Sequence, residues 1–413
     1  MKRKDFILFF LIFSSHLILR FYQMEQRNPF GWDQVDFAWI SKNIIVDHNF
    51  PLVGVQAKLN SGIYIGPLYS YLTSFFYFFY NLDPAASGVL AGAVSIFSFL
   101  ALFQITKKLF SLNVARIAIF LNAFSVFSIS FDRTQWSVGL VPSLSLIIFF
   151  SLYKVLTGFS KYLVLLGISL GVMFHAHFTA VYFIFIILLS IPFFPKTKKV
   201  LKHGLIGFIL FVIFLIPTFI FLFGNPQHGT NVLSYGSDYY HGFHLKRILQ
   251  IGGDAFIQFE KFLTFPFLYS LKFVLFPLFV LAYLFKSVTR GRLIFAYLVF
   301  LWFLIPWLVL STYKGELTDY YFLSNAFIAL FVLAYLINRV LEFKKGILVI
   351  PVYACLFLFA LVNVKNFFEF SHPVGLSESR NEVQKAIREG KKIEFTEGDP
   401  KSYLYYMYNY QRK

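Results

Sequence analysis

"YIGPLYSYLTSFFYFFYNL", residues 64–82, is apolar and close to the roughly 20 residues that a bilayer crossing needs. Whether it crosses decides on which side of a membrane every later segment lies. That a membrane is involved follows from composition: 58% hydrophobic, 21% aromatic and 14% charged residues fall far outside the soluble globular range. The chain reads as a polytopic membrane protein. Its net charge of +17 does not point to nucleic acid, because the basic residues sit in short clusters between apolar runs, as the positive-inside rule expects. Lys2, Arg3 and Lys4 place the N-terminus in the cytoplasm, and a first helix near 5–22 delivers the chain to the outer side. The next inside marker is Lys107–Lys108 with Arg116, and only one full crossing, near 86–106, fits before it. Were 64–82 to cross as well, these lysines and every later basic cluster would lie outside. The stretch is therefore expected to lie along the outer interface, where Tyr and Phe are favoured, within a long first external loop of about residues 23–85.

Further crossings are expected near 112–130, 137–155, 162–175, 178–194, 203–223, 266–286, 293–311, 321–341 and 347–367, about eleven in all. Lys154 with Lys161, the run "PKTKKVLKH", Lys286 with Arg290 and Arg292, and Arg339 with Lys344 and Lys345 then all fall inside. Segment 162–175 is short for a span and calls for tilt or a break. The N-terminal run lacks a small-residue cleavage site and precedes many more spans, which favours an uncleaved first helix over a signal peptide. Residues 1–367 form the membrane unit, and 368–413 a small external appendage that reads as an amphipathic helix, a short strand around "KIEF" and an aromatic helix. The appendage is too short for a core of its own and is expected to pack on the outer membrane face. A single cysteine, Cys355, rules out an intramolecular disulfide and a cysteine-cluster metal site. No G-x-x-x-x-G-K-[ST] loop is present, which argues against ATP-driven transport by this chain alone.

Chemistry must then come from the outer loops. In "NPFGWDQVDFAWISKNI", residues 28–44, Asp33 and Asp36 stand at the start of an amphipathic stretch near the membrane surface. Acids in a wet interfacial loop cost little, so they have a plain reading as surface charge. Asp33, following Trp32, is placed where a lipid headgroup would sit and a carboxylate could take a proton from an incoming hydroxyl. Asp36, one helical turn on, shares its face if a helix starts there.

"WDQVDFA" resembles the W-D-E-A-x-Y-A pattern in the first external loop of the polytopic GT-C glycosyltransferases, in the protein O-mannosyltransferase and aminoarabinose-transferase-like group (glycosyltransferase family 39-like). "GPLYSYL" with its downstream "KKLF", "SFDRTQWSVGLVPSL" and "LGISLGVMFHAHFTAV" are similar to further stretches of that group, so the resemblance covers roughly residues 1–195, with a fainter echo at "DYYFL", 319–323. Two departures stand out. Gln34 occupies the place where the group usually carries Glu, and Ser137 and Val138 occupy ground where many relatives have a second acid.

The resemblance implies an all-α GT-C fold with juxtamembrane helices in the first external loop. It also implies a sugar donor on polyprenyl phosphate, an acceptor that is a lipid, glycan or protein, and Asp33 as the catalytic base with Asp36 in support. Inverting displacement needs an outward base, a cation for the leaving phosphate and a sugar pocket. Arg133 is the leading phosphate clamp, since a guanidinium grips phosphate bidentately, with a lipid-headgroup anchor as the alternative. His177 is expected to donate a hydrogen bond to phosphate or sugar, against the reading of a satisfied interface histidine. His175, two residues away, points elsewhere on a helix, so the pair makes a shared metal site only if the helix breaks. Lys246, Arg247, Tyr320 and Tyr321 are weaker pocket candidates. No cofactor is read from the residues, and a divalent metal stays open. The rival class is a transporter or flippase of lipid-linked sugars, which would place polar groups inside the spans; few are seen there. The expected location is the plasma (inner) membrane, with the site and the C-terminus on the outer face.

Overall fold

The computed structural model describes residues 3–56, 61–224, 226–240, 242–285, 287–342, 346–369 and 375–411. Lys2, Lys286, Lys344 and Lys345, used above as orientation markers, lie outside the described residues. Among those described, the chain is helical with isolated bridges and no strand. It opens with α1 (Arg3–Phe21), α2 (Met24–Arg27), α3 (Asp33–Ile45), α4 (Leu68–Phe79) and α5 (Ala85–Leu109). There follow α6 (Leu112–Phe124), α7 (Val126–Arg133), α8 (Val141–Leu156), α9 (Tyr162–Ala176), α10 (Val181–Ser190) and α11 (Lys198–Gly224). Next come α12 (Pro226–Tyr239), α13 (Leu245–Asp254), α14 (Ile257–Leu263), α15 (Lys272–Leu284), α16 (Arg290–Ser311) and α17 (Ala326–Glu342). The chain closes with α18 (Gly346–Glu369), α19 (Leu376–Arg388) and α20 (Pro400–Gln411).

Among the described residues, seven helical segments are long and apolar enough to cross a membrane, and eight if the bent pair α6–α7 counts as one. The chain is an integral membrane protein. The eleven expected segments also include α1, which carries charged residues at both ends, and the short α9 and α10. α4, the heart of the 64–82 stretch, has 12 residues and so rises only about 18 Å, against a hydrocarbon core of about 30 Å. It buries Tyr69, Ser70, Thr73, Ser74 and Tyr77 while Phe75, Phe78 and Phe79 stay exposed. Its hydroxyls turn inward, Ser74 Oγ reaching Ser41 Oγ of α3 at 3.3 Å, and its phenylalanines turn outward. That is the polarity a helix takes when its surroundings are apolar.

The segment expected as one span at 112–130 breaks at Ser125, where α6 and α7 meet at 67°. A break inside a low-dielectric region leaves helix-end carbonyls and amides that need partners. Arg20, buried at the end of α1, donates to the carbonyls of Ala123 and Asn122 at 2.5 and 2.9 Å and pairs with Asp132 at 2.7 Å. Asn363 of α18 accepts the freed Val126 amide at 2.9 Å. In return Arg133 of α7 donates to the carbonyls of Leu19, Arg20 and Tyr22 at 2.8–2.9 Å, closing the end of α1. The bend is thus fixed by a reciprocal exchange of guanidinium groups.

The C-terminal segment does not stand apart. Leu376, Val383, Tyr403, Leu404 and Met407 share one core with Phe30, Val35, Ala38, Tyr77, Leu82 and Ala86. Tyr403 Oη donates to the Leu82 carbonyl at 2.9 Å, and Arg380 pairs with Asp83. The strand expected around "KIEF" is absent: residues 391–396 have no regular structure. Their polar groups are held locally instead, the Ser402 hydroxyl accepting the Thr396 amide at 2.9 Å and donating to the Glu394 carbonyl at 3.1 Å. No second strand lies alongside to pair with them.

The placement of α4 is checked by labelling. In a Cys355→Ser background, single cysteines at the exposed positions Asn49 and Asn81, on either side of α4, are expected to react equally with an impermeant thiol reagent applied from outside. Labelling from opposite sides would show that 64–82 crosses.

Candidate active site

α3 begins on a strained turn. Trp32 has φ 36°, a left-handed backbone that costs roughly 1–3 kcal/mol for a non-glycine residue. Its amide donates to the Gly398 carbonyl at 3.1 Å, so the C-terminal segment holds the turn. Asp33 and Asp36 follow in the first helical turn, where exposed amides favour negative charge. Gln34, between them, is buried and turned the other way. Its Nε2 donates to the Gln135 carbonyl at 2.9 Å, and its Oε1 accepts the Gly31 amide at 3.3 Å. An ionised glutamate could not make the first bond. The departure from the family's usual residue therefore buys a tie between α3 and the turn after Arg133.

Asp33 and Asp36 open into a cavity of about 870 Å³. Its wall also includes Trp32, Phe37, Trp39, Asn43, Gln56, Tyr64, Trp136, Ser137, Val138, His177, Tyr320, Phe395 and Glu397, and among the described residues its charged lining is Asp33, Asp36 and Glu397. Both aspartates touch solvent inside the cavity, yet the surrounding walls disfavour their charge. Burial raises the Asp33 carboxyl above its usual range, and burial, then the charges of Asp33 and Glu397, pushes Asp36 up to about 6.

On another wall, His177 sits at the break between α9 and the following turn, packed by Tyr320 and Tyr321 at 5.6 and 5.7 Å between ring centroids. Its Nδ1 lies 3.0 Å from the Thr179 hydroxyl and accepts the Thr179 amide at 3.4 Å; with Nδ1 as the acceptor of both, the ring proton is on Nε2. Burial takes this imidazole down to about 3, so it is neutral at physiological pH. Trp136, in T-shaped contact with Tyr320 at 5.8 Å, carries a buried indole N–H with no acceptor.

Of the residues singled out in the sequence, Asp33, Asp36, His177 and Tyr320 come together around this cavity. Tyr321 is buried behind Tyr320. His175 acts elsewhere: its Nδ1 accepts the Leu68 amide at 3.1 Å and its Nε2 bonds the Phe214 carbonyl at 2.8 Å, pinning the start of α4 to α11. A side chain at Gly66 would meet the His175 ring at 2.1 Å. Arg133 is neither phosphate clamp nor headgroup anchor in this geometry. It is buried on the carbonyls of α1, with the Phe367 ring 5.4 Å away. Arg247 binds the carbonyls of Tyr313 and Gly315, and Lys246 is exposed away from the cavity. Among the described residues, no group of three His, Cys, Asp or Glu side chains is arranged to hold a metal ion. No local motif points to Phe395 and Glu397, more than 350 positions after Asp33.

Residues 65–221 match the sequence family described as dolichyl-phosphate-mannose-protein mannosyltransferase. The matched part includes both histidines and starts after the two aspartates. The crystal structure of ArnT from Cupriavidus metallidurans bound to undecaprenyl phosphate is similar over 97% of this chain and 75% of that one, at 11% identity and a TM-score of 0.60. The chain has the GT-C fold. The archaeal oligosaccharyltransferase AglB from Archaeoglobus fulgidus, in complex with an inhibitory peptide and a dolichol-phosphate, shares this GT-C architecture over 98% of this chain and 59% of its own, at 13% identity and a TM-score of 0.59. No curated protein sequence matches the chain. The motifs read at "GPLYSYL", "SFDRTQWSVGLVPSL" and "LGISLGVMFHAHFTAV" lie within the matched residues, and "WDQVDFA" precedes them.

Two outcomes test this geometry. A lysine ammonium is one point of donation, whereas Arg133 reaches Leu19 and Arg20 from Nη1 and Tyr22 from Nη2, so Arg133→Lys is expected to cost roughly 2–4 kcal/mol of stability, seen as a lower melting midpoint in detergent. A change in donor KM with unaltered melting would restore Arg133 to the site. Asp36, with a folded pKa near 6 above the unfolded value of about 3.9, binds more protons folded than unfolded. Its charge therefore penalises folding increasingly as pH rises through 6, and not below about pH 4. Asp36→Asn should raise the melting midpoint at pH 8 and leave it unchanged at pH 4.

Proposed function

We propose that the protein transfers a sugar from a polyprenyl-phosphate donor to an acceptor hydroxyl, with inversion, at the outer face of the plasma (inner) membrane. The observation that carries this reading is a single cavity that holds both a pair of raised carboxylates at a helix N-terminus and a neutral N–H donor. The cavity is lined by Ser137 and Val138 at the start of the 137–156 segment, opposite to the end carrying Lys154, which the positive-inside rule assigns to the cytoplasm. The undecaprenyl phosphate bound to ArnT and the dolichol-phosphate bound to AglB support a polyprenyl-phosphate donor.

The reaction then runs as follows. Asp33 takes the proton of the acceptor hydroxyl while its oxygen forms a bond to the anomeric carbon from the face opposite the phosphate. The carbon–oxygen bond to phosphate breaks, and its electron pair leaves on the polyprenyl phosphate. Burial raises the Asp33 carboxyl, which makes it a stronger base than a free aspartate. Asp36 orients the acceptor. His177 Nε2–H, neutral and fixed, offers a hydrogen bond to the charge that develops on the leaving oxygen.

Asp33→Asn is expected to lower transfer by about 10²- to 10⁴-fold while donor binding persists, and Asp36→Asn to cost less, measured with radiolabelled polyprenyl-phosphate sugars on purified protein. Because the base must be ionised and burial raises its pKa, the acid limb of the pH–rate profile should lie above the ordinary carboxylate range. Full activity in both variants would remove the chemical support for a glycosyltransferase.

A further inference from the structure

The C-terminal segment contributes a wall of the cavity, and the way that wall is held bears on the acceptor. Residues 394–399 form a strap across the start of α3. Gly398 has φ +71°, and a side chain there would meet the Trp32 ring at 2.7 Å, so the strap lies directly on that indole. Ser402 fixes its first half through Thr396 and Glu394, and Asp399 Oδ1 accepts the Lys401 amide at 3.0 Å to start α20. The backbone is firmly placed, yet the side chains it positions stay open: Phe395 is 69% exposed and Trp32 74%. Phe395 meets Trp39 at 5.7 Å and 66°, making an aromatic corner beside Asp36, Asn43 and Glu397.

Two further observations separate this corner from the rest of the cavity. Among the described residues, every charged side chain lining the cavity is acidic. His177, 94% buried by its exposure of 6%, presents a ring N–H that no protein group accepts. An anionic ligand group is repelled from the carboxylates and finds its donor at His177, so the strap end is left for the other substrate.

We propose that the strap 394–399, with Trp32, Trp39 and Asp36, is the acceptor subsite, and that it takes a sugar ring without negative charge, neutral or amino-bearing. The assignment rests on the transferase reading above. A sugar has apolar C–H faces that pack on aromatic rings and hydroxyls that donate to carboxylates, and the corner offers both, with Asp36 and Glu397 as acceptors. A uronic or phosphorylated sugar would bring a like charge against three carboxylates. A serine or threonine side chain has no ring face to fill the corner.

The test uses the full-length protein with a radiolabelled polyprenyl-phosphate hexose. The probes are alkyl glucoside, alkyl glucosaminide, alkyl glucuronide and a Ser/Thr-rich peptide. The glucoside and glucosaminide are expected to accept sugar, and the glucuronide to be at least about tenfold poorer in kcat/KM. Phe395→Ala and Glu397→Gln should each raise acceptor KM about tenfold with donor KM unmoved, and Glu397→Lys should shift preference toward the glucuronide. The inference is overturned if the glucuronide serves as well as the glucoside, if acceptor KM stays put in both variants, or if only the peptide accepts. In those cases transfer or donor hydrolysis still occurs and the transferase reading survives. A wild-type protein that neither transfers from nor hydrolyses the donor would overturn both.

Discussion

The exchange of guanidinium groups between α1 and the α6–α7 bend is the constraint on which the site depends. Arg20 reaches across to carbonyls freed by the bend, and Arg133 reaches back to carbonyls at the end of α1. Both arginines are buried, and each donates to helix-end carbonyls that have no intrahelical partner. Asp132 compensates one of the two buried charges directly. The turn that follows Arg133 is therefore fixed in space, and through the Gln135 carbonyl and Gln34 that fixed point is passed to the first turn of α3. Asp33 and Asp36 inherit their position from it.

From there the cavity is assembled from parts that could not build it separately. α3 supplies the carboxylates, the 64–67 segment supplies Tyr64 and Ile65 under the pin of His175, and the break after α9 supplies His177. The C-terminal strap closes the wall and holds Trp32 in its strained conformation through one amide–carbonyl bond. Where relatives in the resembled group carry an acid after the arginine turn, this chain has Ser137 and Val138 on the wall, and the third carboxylate arrives from Glu397 instead. The electrostatic consequence is a cavity with carboxylates on one side and a neutral donor on the other.

How much of this could be read beforehand depends on the range over which each signal acts. The helical, membrane-embedded character follows from composition and run length, because burial of the backbone in lipid leaves helices as one of few solutions. Charge parity expects 64–82 to lie along the interface, and the helix there has 12 residues, short against a hydrocarbon core of about 30 Å. Asp33, Asp36 and His177 stood out by local motif and position, and they line one cavity. Arg133 was misread because an arginine at a helix end looks the same whether its partner is a phosphate or a carbonyl 110 residues away. "KIEF" was misread as a strand because alternation marks a half-buried segment without saying what it pairs with.

The sequence by itself determined the class, an integral membrane protein of helices, since this rests on hydropathy and run length along short windows. Only the tertiary structure decided that the 112–130 segment is bent, that Arg133 serves α1, that Gln34 is a tie rather than a lost acid, and that Phe395 and Glu397 share a cavity with Asp33. Each of these is a contact between residues far apart in the chain, made where a buried polar group must find a partner, and no local pattern names that partner.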